Sequence, residues 1–262
     1  MLKKLYKHEF IGLYRVLLPL YGLLFALSGA VRLLSMIDVN NKVYDYINGL
    51  TVGLTGIMAV GLMFASFVLV IVNFYKSLLG KQGYLTFSLP FKAHSHIICK
   101  AVCGAVAAVT TIIAEFIALV IIFGGYDFFK ELHIFFKTVF KTANDYFGSG
   151  KTTLICTEVV ICALAVLLSN ILMFFAAMAI GQQFKNKVLG AILSYFGIYF
   201  AIQTVMTVIM SLVPRILDGI MNSAPFAATQ KYFALIFVIA AIQVIGYYFV
   251  ANYFLSNKLN LE

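Results

Sequence analysis

The stretch YKSLLGKQGYLTFSLPFKAHSHIICK occupies residues 75–100 and decides how the rest of the chain is interpreted. It lies between two apolar runs, residues 50–74 and 97–123, each long enough to cross a bilayer. The stretch carries four lysines and no acidic residue. An excess of positive charge in a short loop between two spans predicts that this loop is cytoplasmic.

The composition indicates a polytopic membrane protein. The chain has 262 residues, of which 63% are hydrophobic and 11% are charged. No soluble domain of this length needs so much apolar surface, and spans with short loops leave no room for a soluble catalytic domain. The net charge is +9, and the basic residues lie at the predicted ends of the spans, where they orient the spans and contact anionic lipid. We therefore expect lipid, and no nucleic acid, as a partner.

The apolar runs predict an all-α protein with a single transmembrane domain over residues 1–262. Counting Lys and Arg gives eleven on the predicted cytoplasmic side against two acids there, and eight outside against six acids. This bias predicts that both termini are cytoplasmic. The six predicted transmembrane helices cover residues 16–34, 50–74, 97–123, 154–180, 188–213 and 232–255.

Two further segments are amphipathic. Residues 2–14 place leucines and aromatics on one helical face and lysines on the other, which predicts an N-terminal elbow helix on the cytoplasmic leaflet. The alternative is that residues 2–14 are only the positively charged beginning of the first span. Residues 126–146 place phenylalanines opposite lysines, which predicts a helix on the outer leaflet or capping a pathway exit.

The middle of the quoted stretch has the chemistry of a docking loop. Gly83 permits a sharp turn, and Pro90 presets the first turn of a helix. An apolar surface facing the cytoplasm favours a protein partner, although a loop that rests on the membrane is the alternative. The apolar side chains that form this surface are Leu85, Phe87, Leu89 and Phe91.

The same loop resembles a known family. A glycine, then YLTF-small-LP, then a short basic amphipathic helix entering a span is similar to the first cytoplasmic loop of ABC-2-type transporter permeases. The similarity is specific over about 25 residues and consistent in layout over the whole chain. Within the family, the chain most resembles small six-span permeases of Gram-positive bacteria that export antimicrobial or phenol-soluble-modulin-type peptides.

The resemblance implies a coupling helix over residues 76–96 that docks on a separate ATPase subunit. ATP and Mg²⁺ would then be bound by that partner chain, and this chain would have no catalytic, cofactor or metal site. It also implies a second permease subunit, identical or different, that completes the pathway in a bacterial cytoplasmic membrane. The implied coupling residues are Gly83, Tyr84, Leu85, Thr86, Phe87, Ser88, Leu89, Pro90, Phe91 and Lys92.

The sequence GSGKT at residues 148–152 looks like the end of a nucleotide-binding P-loop. A P-loop needs a glycine where Asp145 stands, together with a preceding strand and a soluble αβ core. A predicted outside helix precedes this segment instead. We therefore expect no nucleotide site here, and ATP as an energy source requires another chain.

Two acidic residues, Glu115 and Glu158, fall inside predicted spans. They lie about 12 Å and about 6 Å below the outer ends of their spans, and a charge there is costly unless it faces protein or water. Our hypothesis is that both face a cavity or pair with Arg32, Lys151 or Arg215, and act on cationic amphipathic cargo. A structural pair, or snorkelling near the interface, is the alternative.

The remaining polar residues of the spans and loop give weaker signals. Asn170, Gln203 and Gln243 are mid-span amides, and such amides usually join helices. His94 and His96 would lie about 200° apart on a helix, so one metal ion cannot easily use both, and we expect a solvated face there.

An ATP-driven exporter of amphipathic peptides is thus the function that the sequence favours. The alternatives are a self-contained secondary transporter or channel, and a membrane sensor or assembly subunit without transport activity. A secondary transporter usually shows interrupted spans or inverted repeats, and neither is clear in the sequence.

Overall fold

The computed structural model describes residues 2–37, 42–80, 83, 93–148, 150–221 and 225–257. All regular structure in these ranges is helical, which confirms the predicted all-α class. A single π-helical turn, Tyr75–Leu79, prolongs the second helix. The helices are α1 (Leu2–Ser35), α2 (Lys42–Phe74), α3 (Ala93–Phe123), α4 (Tyr126–Phe147), α5 (Lys151–Gly181), α6 (Lys187–Met221) and α7 (Pro225–Asn257).

Six of these helices are long and apolar enough to cross a membrane, so the chain is a multi-pass membrane protein. They are α1, α2, α3, α5, α6 and α7, each of which contains one predicted span. Helix α4 corresponds to the amphipathic helix that we predicted over residues 126–146.

The first helix differs from the prediction, because no separate elbow helix covers residues 2–14. Helix α1 is continuous from Leu2 to Ser35 and includes Pro19. Leu13 and Leu17 are both buried and lie four residues apart, so the buried stripe passes from the amphipathic segment into the span without a change of phase. Nothing therefore breaks the helix at the predicted boundary.

The chain divides into two compact units. Unit 1 comprises Met1–Asn73 and Val102–Phe135, and unit 2 comprises Phe74–Ala101 and Phe136–Glu262.

In unit 1, α1 and α3 run parallel and are joined by side-chain hydrogen bonds. The hydroxyl of Thr111 donates its single hydrogen to the carbonyl of Ala107. It therefore accepts a hydrogen bond from the hydroxyl of Tyr21, and the two oxygens are 2.8 Å apart. Tyr14 contacts Thr110 at the same distance. At the other end of α1, Arg32 Nη2 donates to the carbonyl of Gly124 at 3.1 Å. Contacts that advance together along both helices establish that they run in the same direction.

In unit 2, α5 and α6 form a tight antiparallel hairpin. A Cβ atom on Gly181 would lie 2.4 Å from the backbone nitrogen of Ala191, and one on Gly190 would lie 2.6 Å from the carbonyl oxygen of Gly181. Only glycine fits at these two positions. Further along the hairpin, the rings of Phe174 and Tyr195 stack with centroids 4.5 Å apart.

Helix α7 packs parallel to α5 in the same unit. Ser169 Oγ donates to Gln243 Oε1 at 3.0 Å, and Cys162 Sγ lies 3.9 Å from the carbonyl oxygen of Phe233. Each unit therefore contains a pair of parallel spans, α1 with α3 and α5 with α7, joined by polar contacts within the span.

Candidate functional site

The predicted coupling loop is described only at its two ends. Residues Tyr84, Leu85, Thr86, Phe87, Ser88, Leu89, Pro90, Phe91 and Lys92 lie outside the described residues. Before them, the amide of Gly80 donates to the carbonyl of Tyr75 at 2.8 Å, which closes the π turn. Gly83 is buried, and its amide donates to the carbonyl of Gly80 at 2.8 Å. Single π turns occur frequently at functional sites, and this one marks the start of the predicted loop.

After the loop, the start of α3 is more buried than we predicted. His96 is 1% exposed and Lys100 is 3% exposed. The prediction of a solvated face for the two histidines is therefore wrong for His96, while His94 is half-buried. Helix α3 begins at Ala93, earlier than the predicted span. Most side chains of its first turns are covered by protein. No cluster of three metal-ligating side chains occurs in the described part of the chain.

Glu158 lies on α5, two turns after Lys151, and forms the best-defined polar site in unit 2. The Nε2 group of Gln230 on α7 donates to Glu158 Oε2 at 2.8 Å. Lys151 does not supply the countercharge that we had considered, because its Nζ lies over the ring of Phe226, 4.7 Å from the ring centroid. The carboxylate is thus held by a neutral amide.

Beside this carboxylate is an open cavity of about 290 Å³. Glu158 and Gln230 are its polar members, and the rest of the wall is apolar or aromatic. A single carboxylate next to aromatic rings can bind an ammonium or guanidinium group by charge attraction and cation–π contact, with room for an attached apolar group. The apolar lining consists of Ile161, Cys162, Phe233, Ala234 and Phe237.

Glu115 lies on α3 in unit 1, and its setting is different. The residue is half-buried, and its Oε1 atom is buried without a hydrogen-bond partner among the described residues. Arg32 does not pair with it, because Nη1 and Nη2 of this arginine donate to the carbonyls of Ile122 and Gly124. Those carbonyls end α3, so Arg32 caps that helix and meets the negative end of its dipole.

The remaining predicted partner, Arg215, lies in α6, and its side chain is outside the described part of the structure. Glu115 and Glu158 belong to different units.

Of the GSGKT segment, Gly148 and Gly150 lie between α4 and α5, and Lys151 and Thr152 begin α5. Gly148 and Gly150 have φ values of 97° and 83°, which glycine adopts without strain. The hydroxyl of Thr152 donates to Asn144 Oδ1 at 2.6 Å, which ties the end of α4 to the start of α5. In the described residues around this segment a helix precedes the turn, where a phosphate-binding loop requires a strand.

Sequence reasoning missed Gln230 as the partner of Glu158. The prediction placed residues 214–231 in an outside loop and began the last span at residue 232, whereas α7 begins at Pro225. Proline is favoured in the first turn of a helix, so Pro225 was the available signal for the earlier start. The earlier start adds Gln230 to the helical face that meets α5.

No protein-family model, curated protein or solved structure matches the chain.

Proposed function

We propose that the protein is the transmembrane subunit of an ATP-driven, ABC-2-type exporter that moves cationic amphipathic peptides out of the cell or the membrane. The six spans and the amphipathic helix α4 are compatible with such a permease. The choice of ATP as energy source is supported by the resemblance of residues 83–92 to a coupling loop. In this proposal, ATP-driven dimerisation of the partner ATPases is transmitted through that loop to the spans.

The choice of cargo is supported by one observation, the Glu158 cavity. A carboxylate in a membrane span is costly and is usually retained for a function. Here its hydrogen-bond partner is the neutral Gln230, so the site keeps its negative charge available for a cation. The aromatic wall suits the apolar side of the same ligand. A cationic amphipathic peptide offers both groups together, as a lysine side chain next to apolar side chains.

The position of the cavity suits an exporter. The charge distribution predicts that the first turns of α5 lie near the outer surface, and Glu158 is two turns below Lys151. A cargo cation bound there would have crossed most of the bilayer. Helix α4, with lysines on one face and exposed phenylalanines on the other, would lie on the membrane surface close in sequence to this end of α5.

The test is co-purification with an ABC-type ATPase of the same organism, followed by ATP hydrolysis in lipid with and without a lysine-rich amphipathic peptide. We expect a stable complex, peptide-stimulated hydrolysis, and loss of the complex on substitution of Tyr84, Phe87 and Leu89 by alanine. The Glu158→Gln variant should keep the complex and lose peptide stimulation. Failure of the intact chain to bind any ATPase would exclude the ABC assignment.

A self-contained secondary transporter is the second candidate. Each unit, taken by itself, contains a pair of parallel spans, α1 with α3 and α5 with α7. Repeated sets of spans are a common feature of secondary transporters. Transport of the peptide by the chain alone, driven by an ion gradient without any ATPase, would favour this candidate.

A further inference from the structure

Unit 1 contains a row of hydroxyl groups along the contact between α1 and α3. Tyr14 Oη lies 2.8 Å from Thr110 Oγ1, and Tyr21 Oη lies 2.8 Å from Thr111 Oγ1. Both distances are typical of hydrogen bonds between hydroxyls. Tyr21 Oη is also 3.5 Å from Thr110 Oγ1, a longer contact that joins the two pairs. We call Tyr14, Thr110, Tyr21 and Thr111 the hydroxyl row.

The hydroxyl row leads from the edge of the membrane into the span. Tyr14 is half-buried and comes just before the first predicted span. Tyr21 follows two helical turns, or about 10 Å, further along α1 and is buried, as is Thr111. The charge distribution predicts that the N-terminal end of α1 is cytoplasmic. The row therefore extends into the membrane from the predicted cytoplasmic side.

Glu115 lies one helical turn beyond the end of this row, on the same side of α3. It follows Thr111 by four residues, which is about 6 Å along the axis, and residues four apart share a face. Helical side chains tilt towards the N-terminal end of their helix, so the carboxyl group of Glu115 tilts back towards the hydroxyl of Thr111. Glu115 Oε1 has no hydrogen-bond partner among the described residues. The row thus ends at a carboxyl group whose buried oxygen is available to a proton.

No basic side chain in the described part of unit 1 balances a charge on Glu115. Tyr21 is the only titratable residue of α1 between Arg15 and Arg32, and α2 has none over residues 47–73. Within unit 1, α3 carries no basic residue, and Arg32 donates to the carbonyls that end this helix. The charged residues of α4 follow the end of α3, which is itself about 12 Å from Glu115. Because an isolated charge inside a span is costly, this setting favours the neutral, protonated carboxyl group.

We propose that Glu115 is a proton-binding site within the span, and that the hydroxyl row exchanges its proton with water at the predicted cytoplasmic edge. A proton taken up on Tyr14 displaces the hydrogen of that hydroxyl to Thr110, and Thr110 passes its own hydrogen to Tyr21. Tyr21 then passes its hydrogen to Thr111, which delivers its own to the carboxylate of Glu115. Every hydroxyl oxygen gains one hydrogen and loses one. The net change is the conversion of one carboxylate to a carboxylic acid by one proton from the aqueous side, and release is the reverse.

The threonines of the row are free to turn towards the tyrosines. The hydroxyls of Thr110 and Thr111 both lie 2.9 Å from the same acceptor, the carbonyl oxygen of Ala107. A carbonyl oxygen accepts two hydrogen bonds, so it keeps one partner when either threonine rotates away. Rotation of the Thr110 hydroxyl therefore redirects its hydrogen towards Tyr21 without leaving a carbonyl unpaired, which is the costly outcome in an apolar setting.

This inference goes beyond the proposed function, which takes its energy from ATP. A carboxyl group that gains and loses a proton inside the span would make unit 1 sensitive to the proton gradient across the membrane. The residues that carry the inference all belong to unit 1, and its test needs neither ATPase nor peptide. Failure of the proton site and failure of the ABC assignment are therefore separate results.

The first measurement is infrared spectroscopy of the full-length protein in lipid at neutral pH. Exposed carboxyl groups are ionised under these conditions, so the carbonyl stretching band of a protonated carboxylic acid reports an acid that is shielded from water. We expect this band in the wild-type protein and in the Glu158→Gln control, and its loss in Glu115→Gln. Absence of the band from the wild type, or its persistence in Glu115→Gln, would overturn the proposal.

The second measurement tests the hydroxyl row through the exchange of this proton for deuterium after transfer to heavy water. Thr111→Val removes the hydroxyl and keeps the shape of the side chain, whereas Thr111→Ser keeps the hydroxyl. We expect exchange to be at least about tenfold slower in Thr111→Val than in the wild type and to stay fast in Thr111→Ser. Tyr21→Phe, which removes the preceding hydroxyl, should slow exchange in the same way. Exchange at the wild-type rate in both Thr111→Val and Tyr21→Phe would show that the row only joins the helices and would refute the proposed exchange path.

Discussion

Replacing Gly181 by alanine should separate α5 from α6 and destabilise unit 2. The added Cβ atom would lie 2.4 Å from the backbone nitrogen of Ala191 and 2.5 Å from its Cα, whereas ordinary contacts begin near 3.4 Å. Both atoms belong to the backbone, so the helices must move apart by about 1 Å. Overpacking of this kind costs about 2–3 kcal/mol. For a chain of this size, that corresponds to an apparent melting temperature about 5–10 °C lower.

The assay is thermal unfolding in detergent, followed by the loss of monodisperse protein on size exclusion. Gly197→Ala is the matched control, because it lies in the same hairpin and its added Cβ would meet no atom within 4 Å. That substitution should stabilise α6 by up to about 1 kcal/mol through helix propensity. If Gly181→Ala melts with the wild-type protein, α5 and α6 do not approach as closely as described and the reasoning is wrong.

Three further substitutions test individual contacts. Arg32→Leu should lower the free energy of unfolding by about 1–2 kcal/mol, because the carbonyls of Ile122 and Gly124 lose their donor. Arg32→Lys should recover part of that stability. Equal melting temperatures for the wild type and both variants would contradict the capping role. Tyr21→Phe should cost about 0.6 kcal/mol, since one interhelical hydrogen bond is lost; a loss above about 2 kcal/mol would indicate a packing role instead. Glu158→Gln should leave the melting temperature nearly unchanged, because a carboxamide oxygen still accepts from Gln230. The same variant should reduce peptide-stimulated ATP hydrolysis at least about tenfold, because the charge that attracts the cargo is lost. Full stimulation would exclude a role of Glu158 in cargo binding.

The sequence was sufficient to predict the six span-forming helices and α4 in their order. The apolar runs identify the six span-forming helices, and the phenylalanines opposite lysines in residues 126–146 identify α4. Both patterns were readable because hydropathy and helical periodicity depend on local sequence. Helix ends were less predictable. Helix α1 continues through the predicted elbow, and α7 begins at Pro225, since buried stripes and tertiary contacts extend helices beyond their apolar centres.

The candidate site was only half predictable. The cost of a charge within a span singled out Glu158, but its partner Gln230 depends on how α7 meets α5, which no local pattern encodes. Arg32 was considered as a partner of the carboxylates within the spans, yet its role as a cap of α3 arises from the parallel packing of α1 with α3.

We propose that the chain exports cationic amphipathic peptides with energy from a partner ATPase. The most direct measurement reconstitutes the permease and the ATPase in liposomes and follows a fluorescent lysine-rich peptide across the bilayer with ATP present. We expect ATP-dependent movement that disappears in the Glu158→Gln protein and with an uncharged peptide of equal hydrophobicity. Movement at the same rate without ATP, or equal transport of the uncharged peptide, would contradict the proposed function.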